Sequence, residues 1–156
     1  VSHKGIRLLL EDTAKSLGDD IQFDYGRTSD FNQLRNKQYP FISVSPLNAS
    51  ASYAVNNTFN YSKTYQVQMA FYQLDREDSD QSSYALILDQ MNELADNFVN
   101  KLNYYIERCQ IDSDDIIITN VSQQPFIKAT ADILTGYIMT LSIQVSDNFN
   151  YCGLGC

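Results

Sequence analysis

The chain has 156 residues, 44% of them hydrophobic, with 11 tyrosines, 8 phenylalanines and no tryptophan; this is enough to bury a core and predicts one domain spanning residues 1–156. A net charge of −8, with 11 basic residues scattered along the chain, argues against a nucleic-acid surface, because phosphate contacts need clustered Lys and Arg. No apolar run approaches the roughly 18 to 20 residues that cross a bilayer, no charged-then-apolar signal opens the chain, and cysteine is sparse, so a soluble protein made in a reducing cytoplasm is expected.

Residues 5 to 17 read as a first helix, because Ile6, Leu9, Leu10, Ala14 and Leu17 share a face and Gly18 stands where a C-cap glycine belongs. Ile21 to Tyr25 alternates as a strand does and Gly26 breaks it; Asp30 to Lys37 reads as a polar connection. Phe41 to Ser45 alternates again, with Pro46 limiting it to an end or edge position. From Asn48 to Lys63 the chain is Ala, Ser, Asn, Thr and Tyr with almost no charge, and it predicts a protruding β-hairpin arm turning near Asn56 and Asn57. Tyr65 to Leu74 is the clearest strand, with Tyr65, Val67, Met69 and Phe71 on one face.

The longest pattern follows. From Ser82 to Arg108, Tyr84, Ile87, Leu88, Met91, Leu94, Ala95, Phe98, Leu102, Tyr105 and Ile106 recur at steps of three and four, a stripe wide enough to cover a sheet. Acids precede this helix and Lys101 and Arg108 lie near its end, as the macrodipole favours. Ile116 to Val121 predicts a short strand, Pro125 interrupts, and Phe126 to Ala131 resumes extended structure. Gly136 reads as a turn or bulge before a last strand, Tyr137 to Val145, whose odd positions face the core while Thr140, Ser142 and Gln144 face out. Residues 148–156 show no period and predict a mobile tail. Strands grouped rather than alternating with helices predict an α+β fold, an antiparallel sheet with both helices on one face.

Chemistry-bearing constellations are sparse. Asp75, Glu77, Asp78 and Asp80 lack the glycine and closing glutamate of a calcium loop and read as a solvated stretch that starts the helix. Asp112, Asp114 and Asp115 read as a charged turn. His3 is the sole histidine and stands near one end, a poor place for a pre-organised base. Cys109 reads as a small buried hydrophobe, and Cys152 with Cys156 offers two thiols without further ligands. No catalytic residue, metal ligand or cofactor is expected. The arm instead supplies subunit-interface candidates, Tyr53, Val55, Asn57, Phe59 and Tyr61, since small uncharged residues pair well when another backbone arrives.

The order of a glutamine-rich aromatic strand (Tyr65, Gln66, Val67, Gln68, Met69, Ala70, Phe71, Tyr72), an acidic loop, a long helix, an isoleucine strand and a last strand introduced by Asp132, Ile133, Leu134, Thr135, Gly136 and Tyr137 resembles the neck and tail-completion proteins of tailed bacteriophages, the tail terminators in particular. The likeness covers roughly Pro40 to Cys152. It implies a non-enzymatic structural virion protein, an α+β subunit assembling as a homo-oligomeric ring, sixfold or alternatively twelvefold, at the head–tail junction between the tail tube and connector proteins. DNA would pass through the lumen without specific binding, an acidic wall repelling its phosphates. The protein would be made in the host bacterial cytoplasm and reside in the virion, away from membranes. A monomeric or dimeric adaptor domain is the alternative the residues leave open.

Overall fold

The computed structural model describes residues 3–26, 40–53, 61–75, 78, 80–109, 116–129 and 134–146. Its elements in order are α1 (His3–Lys15), β1 (Gln22–Tyr25), β2 (Phe41–Val44), β3 (Asn48–Tyr53), β4 (Tyr61–Leu74), α2 (Gln81–Cys109), β5 (Ile116–Ala129) and β6 (Leu134–Ser146). The strands form a single sheet in the order β1-β2-β4-β6-β5, with β3 paired to the first half of β4. The fold is α+β, as the sequence predicts. Among the described residues no helix is long and apolar enough to cross a membrane.

The sheet is mixed rather than wholly antiparallel, because β1 runs parallel to β2 while the other four pairings are antiparallel. Parallel neighbours need a connection of about a dozen residues or more, and the stretch 27–39 supplies that length. The expected polar connection at Asp30 to Lys37, like the tail at 148–156 and the acidic turn at Asp112 to Asp115, lies outside the described residues.

The middle of the sheet is the long β4·β6 ladder, unbroken from Ser62↔Ser146 to Leu74↔Leu134. Tyr65, Val67, Met69 and Phe71 on β4 and Met139, Leu141, Ile143 and Val145 on β6 are buried beneath the helices. The α2 stripe meets them with Met91, Ala95, Phe98, Leu102 and Ile106, at the three- and four-residue steps that keep side chains on one face of a helix. Phe98 packs edge-on against Phe71, ring centroids 5.7 Å apart. At one side α1 adds Ile6, Leu9, Leu10 and Ala14 to the same core, and Thr13, buried among them, donates its hydroxyl to the Leu9 carbonyl at 2.6 Å.

Helix α2 starts at Asp80, whose carboxylate accepts the Ser83 N–H and the Ser82 hydroxyl, each at 2.9 Å, the N-cap geometry that satisfies otherwise orphaned donors. Those donors, the Ser83 N–H first, hold the Asp80 carboxyl below the ordinary carboxylate range. Asp75 departs from the expected solvated stretch: it is buried, and Thr135 on β6 donates to it at 2.7 Å, tying the exit of β4 to the start of β6.

Two expected breaks are not breaks. Strand β5 runs through Pro125 because an edge strand has a side where the missing N–H is not needed; its irregularities are register shifts between Thr119 and Ser122 and between Phe126 and Ala129. Asn120, inside the first shift, takes φ 54°, a left-handed value that asparagine tolerates. Gly136 lies within β6, flanked by its register partners Tyr72 and Phe126, whose rings are 6.5 Å apart. A Cβ at Gly136 would stand 1.9 Å from the Phe71 carbonyl oxygen and 2.7 Å from the Tyr72 Cα, so close backbone approach, not a turn, requires glycine there.

Three outcomes are expected. Phe98→Ala should cost about 3–5 kcal/mol in urea unfolding, the usual loss for a fully buried aromatic; a change below about 1 kcal/mol would sink the helix-on-sheet packing. Gly136→Ala should cost about 1–3 kcal/mol through overpacking against backbone that cannot give way, read as a lowered Tm. A carboxylate whose folded pKa is depressed contributes stability that is present above its unfolded pKa and is lost as pH falls through the folded value. Asp80→Asn keeps the cap but not the charge, so the Tm difference between wild type and variant should shrink on acidification from pH ~5 to ~2. A difference that stays constant over that window would rule out the charged cap.

Candidate functional site

The arm is a real hairpin at its base. Strands β2 and β3 lie end to end along one side of β4, β2 opposite Met69–Tyr72 and β3 opposite Tyr61–Gln66. Pro46 stands in the break between them, where its missing donor disturbs no ladder. Ser45 bridges the break by donating its N–H to the Gln68 carbonyl at 3.0 Å, and the Leu47 N–H donates to the Tyr25 hydroxyl at 3.1 Å. Beyond the buried Leu47, Asn48, Ala49 and Ser50 are all exposed. Consecutive strand residues point to opposite faces, so neither face of β3 is covered there. Among the described residues no strand lies along its outer edge.

Of the interface candidates, Tyr53 and Tyr61 are register partners at the far end of this hairpin, while Val55, Asn57 and Phe59 lie outside the described residues, as does the turn at Asn56 and Asn57. The returning leg is less free than its composition suggests. Ser62, Lys63 and Thr64 pair with β3 on one side and with Ser146, Val145 and Gln144 of β6 on the other, so the root of the arm belongs to the main sheet.

The sheet face turned away from the helices is the second feature. Its rungs cross four strands: Asn48, Gln66, Ser142 and Thr119 in one, Ser50, Thr64, Gln144 and Ile117 in the next. Gln68, Thr140 and Ser122 form a third rung. The side chains bond to one another, Ser142 donating to Gln66 at 3.0 Å and the Ser122 and Thr140 hydroxyls standing 2.7 Å apart. None of these residues is ionisable; Asp24 shares this face but sits on β1 at the sheet's margin. At one end the face turns apolar, with Phe41 stacked on Tyr72 at 5.1 Å and Leu134 beside them, all buried.

Sequence reasoning placed Thr140, Ser142 and Gln144 outward but did not see that they join Gln66, Gln68 and the arm into one uncharged surface. The signal was present as uncharged polar residues at every second position of two strands. Ile117, Val121 and Ile127 of the edge strand β5 are exposed apolar residues, 42–47% accessible.

Strand β5 is held to α2 by Gln123, which accepts from Asn92 and donates to Asp96 at 2.8 Å. A shallow groove of about 310 Å³ lies between Pro40, Gln73 and the α2 residues Gln90, Met91, Glu93, Leu94 and Asn97. Glu93 alone in its wall is ionisable, so the groove offers no acid–base pair. Among the described residues no three of His, Cys, Asp or Glu are grouped to hold a metal ion. His3 begins α1 and Cys109 ends α2, far apart in sequence and in different elements. The geometry therefore concentrates interest on backbone edges and on the uncharged face. No family model matches the chain, and no curated protein matches it.

Proposed function

We propose that the chain is a structural, non-enzymatic virion protein of a tailed bacteriophage, a ring-forming component of the head–tail junction of the tail-terminator kind. The observation that supports this most is the outer edge of β3, along which no strand lies among the described residues and where Asn48, Ala49 and Ser50 are exposed. Edge strands of proteins that stay single are usually blunted by charge, proline or a bulge, and Asn48–Tyr53 has none of these. A strand of a neighbouring subunit added there gains backbone hydrogen bonds while small side chains permit close approach. Repeated head to tail, such a contact closes a ring when the rotation closes. The rigid body for that ring is the helix-covered β4·β6 ladder, into which the arm's root is bonded on both sides. The tail tube and connector proteins would be its neighbours, and DNA would pass through its lumen unbound.

Electron micrographs and sedimentation of the chain at micromolar concentration test the proposal. Closed rings are expected of the wild type, and dispersed subunits with an unchanged circular dichroism spectrum of the Ala49→Lys variant, a charge on the edge strand. Rings that survive in the variant would take the interface off β3. A wild type no larger than a dimer, encoded away from portal, capsid and tape-measure genes, would instead favour an adaptor domain.

A further inference from the structure

The chain carries 30 Asp, Glu, Lys and Arg residues, 19 acidic and 11 basic, yet the outer face of β3, β4 and β6 and of β5 through Phe126 holds none of them. Charge has not been left out of the subunit; it has been placed elsewhere. The opposite side exposes Asp89, Glu93 and Asp96 on α2. A solvated sheet face gains nothing from avoiding charge, since Lys and Glu on such a face are hydrated freely and oppose aggregation. Avoidance is useful where the face is to be covered, because a buried unpaired charge is costly whereas amides and hydroxyls need only hydrogen-bond partners.

The chemistry of the face also limits what can cover it. A charged partner would lose hydration with no counter-charge to meet. A surface of amides and hydroxyls, each able to donate and accept, satisfies Gln66, Gln68, Thr140 and Gln144 in either direction. The surface of that description in this structure is the same face of another copy. The α2 side, with Asp89, Glu93 and Asp96 exposed, would repel itself, but in a face-to-face pair the two acidic sides point outward, separated by two sheets and two helix layers, well beyond the ~8–10 Å screening length. From strand spacings, the area between β3 and β5 and between Thr64 and Ala70 measures about 20 Å by 24 Å, on the order of 500 Å² in projection. Side-chain relief brings that near the ~600 Å² per partner of a small standard interface.

We propose that the uncharged outer face of the sheet is an interface with a second copy of this chain, the two sheets meeting face to face about a twofold axis. This goes beyond the ring reading and does not rest on it: the ring uses an edge, in the plane of the sheet, and this contact uses the face, along its normal.

Charge reversal tests it. Gln68 is exposed at the centre of the face, so Gln68→Lys and Gln68→Glu should each fold normally, by circular dichroism and Tm, and each should weaken self-association by about tenfold or more through like charges brought together across the twofold axis. Mixing the two variants in equal amounts should restore association, since Lys then meets Glu. Asn100→Lys, an equal charge change on exposed α2, should leave association unchanged. The readout is sedimentation equilibrium of the chain between micromolar and millimolar concentration. A wild type monomeric throughout, variants that associate like wild type, or a mixture that fails to recover would each overturn the proposal; the last would mean that the face meets some other surface. Ala49 points away from this face, so Ala49→Lys leaves it intact: rings that persist in Ala49→Lys count against the ring reading alone, and dimers that persist in Gln68→Lys count against the face reading alone.

Discussion

The contact on which the rest of the structure depends is the burial of the α2 stripe against the β4·β6 ladder. Met91, Phe98, Leu102 and Ile106 each exchange water for apolar neighbours at about 1.5–3 kcal/mol apiece, on the order of the whole net stability of a small domain. Strands β4 and β6 can be long because that helix spans them, and their length lets β2 and β3 attach in series along one side and β5 along the other. Remove the helix and the sheet exposes a continuous apolar face. The hydrogen bonds at the margins, Asp75 with Thr135 and Gln123 with Asn92 and Asp96, fix where the strands begin relative to the helix and are individually modest. They set register more than stability.

The molecule is sorted by chemistry as well as by layer. One side of the sheet is apolar and covered, the far side of α2 is acidic, and the outer sheet face is uncharged and hydrogen-bonded to itself. Among the described residues the outer-face rungs shared by β3, β4, β6 and β5 carry no charge, whereas α2 exposes Asp89, Glu93 and Asp96, so an acidic lumen, if a ring forms, would draw on α2 before the sheet's outer face.

Legibility in the sequence followed period. The α2 stripe, the β4 and β6 alternations and the short α1 were readable because each repeats a geometric step over many residues. The hairpin at 48–63 was readable for the opposite reason, a composition that cannot fill a core. What was not readable depended on neighbours distant in sequence. Pro125 breaks a strand only if both its sides are paired, and nothing local says that β5 has one partner. Gly136 looks like a turn until Tyr72 and Phe126 are known to flank it. Asp75 looks solvated until Thr135, sixty positions away in sequence, closes over it. The parallel direction of β1 is equally silent, since four residues, Gln22–Tyr25, pair either way. Of the arm residues singled out, Tyr53 and Tyr61 are register partners at the far end of the hairpin, and the uncharged face emerges only when the registers of four strands are superposed.

A sheet subunit has two ways of meeting its copies, by an edge or by a face, and among the described residues nothing lies along the outer edge of β3 and Gln66, Gln68, Thr140 and Gln144 of the face are exposed. Edge addition at β3 draws on backbone groups, is insensitive to side-chain charge at a distance, and propagates in the plane of the sheet. Face pairing would draw on amides and hydroxyls, would be weakened by a single buried charge, and would close at two copies along the normal. The directions are perpendicular, so neither contact occupies the atoms of the other except where Asn48 and Ser50 belong both to the edge and to two rungs of the face. That shared corner sets the coupling. A strand arriving at β3 extends the uncharged face by one more column, which enlarges the area available for face pairing, and a copy seated on the face orders the exposed leg of β3 against which the next strand must add. If both contacts form, each would lower the cost of the other, and by linkage the effect would be reciprocal: subunits held at their edges would pair by their faces more readily than single subunits.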